Sequence, residues 1–159
     1  MGITMETKWT LEKALDVAIN MEEKSIQLYT SAQDKILNPS SKQFLKALVE
    51  EEQKHRSKLL EVKISPKKIE EFGSLDTRIE NLKIVDWLED VSLSPEASYQ
   101  QILIYAGKRE KTSHDFYIWL AQQYQNKDIG KVFARLAQEE LKHKYLLEKE
   151  YDDIILTWM

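Results

Sequence analysis

Six residues of this 159-residue chain have the types and spacings that hold divalent cations: Glu22, Glu52, His55, Glu110, Glu140 and His143. Glu52 with His55, and Glu140 with His143, are i, i+3 pairs; each pair shares one helix face and can ligate one ion together or bridge to a second. Glu22 and Glu110 add one carboxylate each. Glu22 to His55 spans 33 positions, and so does Glu110 to His143. A shift of 88 also superposes Ser25 on Ser113, Tyr29 on Tyr117, Leu48 on Leu136, Glu51 on Glu139 and Leu59 on Leu147, so the chain is an internal repeat. All six residues sit in helical seams whose other members are apolar, small or aromatic. A buried carboxylate without a partner costs several kcal/mol or takes up a proton, and no Lys or Arg falls in these seams. Two divalent cations would set four positive charges against four carboxylates, with both histidines neutral.

The elements that must position these residues are helices. Thr10 is an N-cap, and Leu11, Leu15, Ala18, Glu22, Ser25, Tyr29, Ala32 and Ile36 follow in steps of three and four. This first helix, about 11–37, should stop at Asn38 and Pro39, leaving Ser40 to cap a second, about 41–63, with the seam Leu45, Leu48, Glu52, His55, Leu59 and Val62. Ser94, Pro95 and Glu96 open a third, about 95–125, which carries Tyr99, Leu103, Ala106, Glu110, Ser113, Tyr117, Leu120 and Tyr124. Ile129, Phe133, Leu136, Glu140, His143 and Leu147 mark a fourth, about 128–150. Two short breaks make two antiparallel hairpins. The crossover, 64–94, is long enough to return along a whole bundle, so helices two and three should run parallel. The expectation is an all-α, ferritin-like four-helix bundle in a single domain over 1–159, with an apolar C-terminal tail, 151–159, packed on the bundle or on a second subunit.

Composition narrows the chemistry. With 4 Gly and 3 Pro, and many Glu, Lys, Leu, Gln and Ala, the chain favours long helices. It has no Cys, which excludes thiolate metal sites, disulfides and cysteine nucleophiles. A net charge of −4, with both signs spread along the helices, argues against nucleic acid as a partner. The start MGITMETKWT has no apolar signal core and no run is long enough to span a bilayer, so a soluble cytoplasmic protein with no membrane partner is expected.

The segments EEKSIQLY, EEEQKH, EKTSHDFY and QEELKH resemble the four ligand helices of the rubrerythrin branch of the ferritin-like di-iron proteins, over about Leu11 to Glu150. In that family a Glu seven residues before a Tyr is a ligand, which selects Glu22 and Glu110. The resemblance implies that Glu52 and Glu140 bridge the ions, that Glu22 and Glu110 are terminal ligands, and that each His binds one ion. It also implies two iron ions, although carboxylate and imidazole accept manganese or zinc as well. Two departures weaken a peroxidase assignment. Ser113 stands where peroxide-reducing relatives carry a further carboxylate, and the cysteine-ligated rubredoxin module is missing from these residues.

The expected function is a di-iron-carboxylate oxidoreductase that acts on hydrogen peroxide or dioxygen with electrons from an external donor protein, protecting against oxidative stress. The alternatives are a ferroxidase or iron-handling protein and, in another class, a non-enzymatic metal-binding bundle. A homodimer is expected. Tyr29 and Tyr117 could hydrogen-bond ligand carboxylates, and Ser25 and Ser113 could leave space beside the ions. His114, Glu23, Glu51 and Glu139 fall off the seams and are expected at the rim or in solvent. Trp9, Trp87, Trp119 and Trp158 fit packing or an interface better than chemistry.

Overall fold

The computed structural model describes residues 10–65, 85–88 and 93–158, apart from the side chains of residues 87 and 156–158. Most of the crossover, Trp9 and the side chains of Trp87 and Trp158 lie outside these residues. Among the described residues there are four long helices and no strand: α1 (Leu11–Lys35), α2 (Pro39–Ile64), α3 (Tyr99–Gln123) and α4 (Asp128–Trp158). No helix is long and apolar enough to cross a membrane, again among the described residues.

The order of residues along each helix fixes the topology. One apolar cluster holds Leu15 and Ala18 of α1, Leu59 of α2, Tyr117 and Leu120 of α3, and Phe133 and Leu136 of α4. A second holds Tyr29 and Ala32, then Leu45 and Leu48, Leu103 and Ala106, and Leu147. Helices α1 and α4 run from the first cluster to the second, and α2 and α3 run from the second to the first. Thus α2 and α3 are parallel, and two antiparallel hairpins are joined by the crossover, as the sequence pattern expects. In every helix the polar pair, Glu22 and Ser25, Glu52 and His55, Glu110 and Ser113, or Glu140 and His143, falls between the two clusters.

Thr10 caps α1 by accepting from the Lys13 amide at 3.1 Å. The other helix ends differ from the sequence pattern. Helix α1 stops at Lys35, and Asn38 rather than Ser40 caps α2, its Oδ1 accepting from Ser40 N at 2.8 Å and Ser41 N at 3.2 Å. Pro39 then takes the first helical position, where a missing N–H costs nothing. Helix α3 starts at Tyr99 instead of about 95; Ser94–Ala97 forms a turn, and Ser98 and Gln101 complete a reciprocal capping box that outcompetes the Ser-Pro-Glu start. At the other hairpin, Asn126 adopts φ 69°, a left-handed conformation that asparagine tolerates. Gly130 follows, and there a Cβ would collide with the Tyr124 carbonyl. The expected tail is not a separate segment. With no Gly or Pro after residue 150, α4 continues to Trp158, and Tyr151 and Ile154 pack against the second cluster.

One piece of the crossover is docked on the second hairpin. Val85–Trp87 forms a single 3-10 turn. Gly107 lets it approach, since a Cβ there would stand 2.7 Å from Val85 Cγ1. The Val85 amide donates to Glu148 Oε2 at 2.9 Å, and Lys108 Nζ donates to the Leu88 carbonyl at 2.8 Å. Glu148 Oε2 also accepts from Lys144 Nζ at 3.1 Å, and Asp86 Oδ2 lies 3.5 Å from the same ammonium. Lys144 and Glu148 are both fully buried. A buried cation therefore stands next to His143, outside its seam but inside the protein.

Candidate metal centre

The four carboxylates and two imidazoles converge in the layer between the apolar clusters, and all six residues are buried. Three carboxylate oxygens surround His55 Nδ1: Glu52 Oε1 at 3.2 Å, Glu140 Oε1 at 3.4 Å and Glu22 Oε1 at 3.6 Å. Around His143 Nδ1 lie Glu52 Oε1 at 3.2 Å, Glu110 Oε2 at 3.8 Å and Glu140 Oε2 at 3.9 Å. Glu52 and Glu140 face both histidines. Glu22 belongs to the His55 side and Glu110 to the His143 side. The two rings lie nearly parallel, with centroids 5.4 Å apart.

These distances suit ion pairing, but the directions do not make hydrogen bonds. Glu22 Oε1, both oxygens of Glu52 and of Glu140, Glu110 Oε2 and His55 Nδ1 are buried without a hydrogen-bond partner, and so are both ring nitrogens of His143. One N–H can point at only one oxygen, whereas a cation between them satisfies several at once. Two overlapping sets, Glu22, Glu52, His55 and Glu140, and Glu52, Glu110, Glu140 and His143, each bring four donor atoms within 4.8 Å of one another. Each set could hold a metal ion.

Oxygens not aimed at the centre are held from the opposite hairpin. Tyr29 of α1 donates to Glu110 Oε1 at 2.6 Å, and Tyr117 of α3 donates to Glu22 Oε2 at 2.8 Å. Burial and the neighbouring carboxylates push both phenols well above their usual range, so they remain donors. Ser25 and Ser113 are buried beside the ring of six.

Without cations the cluster must be neutralised by protons. Burial, then the charges of Glu110 and Glu22, raise Glu52 to about 7. Glu140 is pushed well above the carboxylate range by burial and by Glu110, Glu22 and Glu52. Burial opposes a charged imidazole, yet Glu22 and Glu52 lift His55 to about 10; Glu52 and Glu110 likewise raise His143 against its burial. Burial also works against ionised Glu22, but His55, Glu140 and Tyr117 hold it below its usual value. Glu110, despite its burial, is brought to about 2 by Glu140, His143 and Tyr29. Below about pH 7, where Glu52 keeps its proton, the metal-free centre thus carries two carboxylates, two imidazolium rings and two neutral carboxyls. Four protons replace four positive charges.

Residues expected off the seams are off the centre. Glu23 pairs with Arg56 at 2.9 Å, Glu51 with Lys54 at 3.2 Å, and the His114 ring with Asp115 at 3.2 Å. Glu139 is half-buried and belongs to neither set. Trp119 is partly exposed on α3. The pair Lys144 and Glu148 has no sequence signature, because an i, i+4 Lys–Glu pair usually marks a solvated helix face.

Comparison with curated proteins and with solved structures gave no match. The rubrerythrin family model matches residues 101–157, which include most of α3, nearly all of α4, and Glu110, Glu140 and His143, so this part of the chain is similar to the rubrerythrins of the ferritin-like superfamily.

Proposed function

We propose that the six-residue cluster holds two iron ions, with Glu52 and Glu140 shared between them, and that the protein is a di-iron-carboxylate oxidoreductase reducing hydrogen peroxide or dioxygen with electrons from a separate donor. The observation that carries this reading is the pair of overlapping donor sets, each of three carboxylates and one imidazole, with two carboxylates in common. When bound, the iron pair supplies one electron from each ion to an O–O bond. The chain's own groups orient and insulate that chemistry. Tyr29 and Tyr117 fix Glu110 and Glu22 so that one oxygen of each faces inward. The two apolar clusters close the layer above and below and limit water around it. The 159 residues hold no cysteine, so the electrons must come from outside them.

A ferroxidase reading is favoured by one feature, the small buried Ser113 where the resemblance would place another carboxylate in a peroxide-reducing relative. Anaerobic metal analysis followed by stopped-flow mixing separates the two. The di-ferrous protein should oxidise within seconds on one equivalent of peroxide and recover only when a reduced donor is added. No oxidation by peroxide rejects the peroxidase reading, and much faster oxidation by dioxygen supports the ferroxidase. Gel filtration should show a homodimer; a shell-sized particle would point to iron storage.

A further inference from the structure

A cavity of about 410 Å³ lies between α1 and α3 and is distinct from the six-residue centre. Lys24, Lys35 and Arg109 line it, and no acidic residue does. Leu28, Leu93 and Ile102 give it an apolar wall. Its size falls within the range of small-molecule sites, which combine apolar walls with a few polar anchors.

Arg109 is the anchor whose bonding is incomplete. A guanidinium offers five donors in a planar fork. Nη2 of Arg109 reaches the Met21 carbonyl and Ser25 Oγ, each only at 3.4 Å, and Nε is buried without any partner. No carboxylate pairs with this half-buried cation among the described residues. Placing a guanidinium there with weak contacts costs desolvation that an incoming anion would offset.

The internal repeat supplies an independent observation. Under the shift of 88, Arg109 corresponds to Met21, Lys24 to Thr112, Lys35 to Gln123 and Ile102 to Ala14. All six residues of the centre obey the repeat, whereas the three cations of the cavity have no charged counterpart. The positive groove therefore has no repeat-related counterpart and is not a by-product of building the centre twice.

We propose that this cavity binds a small organic carboxylate, its head on Arg109 with Lys24 and Lys35 at the rim and its apolar body against Leu28, Leu93 and Ile102. Ser25, which Arg109 touches, lies one helical turn from Glu22, so the ligand's head would sit beside the centre without entering it.

Titration calorimetry of the full chain with octanoate tests this, with octanol and inorganic phosphate as comparison probes. Octanoate should bind saturably at one site per chain and more tightly than either comparison probe. Arg109→Met and Lys35→Glu should each weaken it about tenfold or more, the scale of one charge-assisted hydrogen bond. Lys35 is exposed, so Lys35→Glu keeps the test valid if Arg109→Met fails to fold. Absence of saturable binding, equal binding of octanol, equal binding of phosphate, or unchanged affinity in folded variants would each overturn the proposal. So would loss of octanoate binding on chelation of bound metal, which would place the carboxylate on the ions instead.

Discussion

Glu22, Glu52, Glu110 and Glu140 carry their energetic meaning in how many oxygens each leaves unpaired. Glu52→Ala or Glu140→Ala removes a carboxylate facing both histidines and should strip most bound metal, whereas Glu23→Ala and Glu51→Ala, whose acids pair with Arg56 and Lys54 at the surface, should leave metal content unchanged in elemental analysis. Equal losses would mean that the helix faces bind differently. Tyr29→Phe and Tyr117→Phe keep ring packing but leave a carboxylate oxygen without its donor. Each should lower metal affinity by roughly 10–100-fold in a competitive chelator titration. Protonation gives a further test with a definite sign. Glu52, Glu140, His55 and His143 all have native values raised above their unfolded ones, so their stabilisation of metal-free protein is complete at low pH and is lost as pH rises through the native values. Glu22 and Glu110, which are lowered, act oppositely, and their contribution is lost only in strong acid, near about 2 for Glu110. The melting temperature of chelated protein should therefore fall steadily from about pH 5 through 7, the native value of Glu52, and on towards 10, that of His55. Metal-loaded protein should lack this decline, because the ions have displaced the same protons.

At the scale of the element, the seams were legible because a buried face repeats every three to four residues whether it carries Leu or Glu; the periodicity that places Leu48 and Leu59 inward also places Glu52 and His55. The ends were less legible. Asn38 and Ser40 are both good caps, and so are Ser94 and Ser98, so local chemistry alone does not choose between them. Ile84, Trp87, Leu88 and Val91 are spaced for a short amphipathic turn, but the docking of the turn at Val85–Trp87 was not legible, since it depends on Gly107 being bare and on a Lys–Glu pair whose spacing suits solvent equally well. Two variants probe it. Gly107→Ala should force Val85 off α3 and lower thermal stability while leaving metal content intact. Lys144→Met should destabilise by about 3–5 kcal/mol in denaturant unfolding, the cost of leaving Glu148 buried and unpaired. Lys144→Met with Glu148→Leu should recover part of that loss but not all, because the Val85 amide then lacks its acceptor.

For the molecule as a whole, cations that bind only the folded state should raise its stability, so chelation should lower the melting temperature measurably in calorimetry. Coincident melts of apo and loaded protein would show that the six residues do not meet on ions. The repeat made this arrangement readable: equal 33-residue intervals in the two halves say that two like hairpins face each other, although nothing in the spacing says which tyrosine serves which glutamate. The hydrogen bonds are exchanged. Tyr29 of the first hairpin serves Glu110 of the second, and Tyr117 of the second serves Glu22 of the first; neither donor set is complete without a residue from the other hairpin. Each half is thus the lock for the other's key. Cut within the crossover and expressed as two peptides, the protein should behave as a split reporter, its fragments remaining apart when metal is withheld and reassembling when it is supplied.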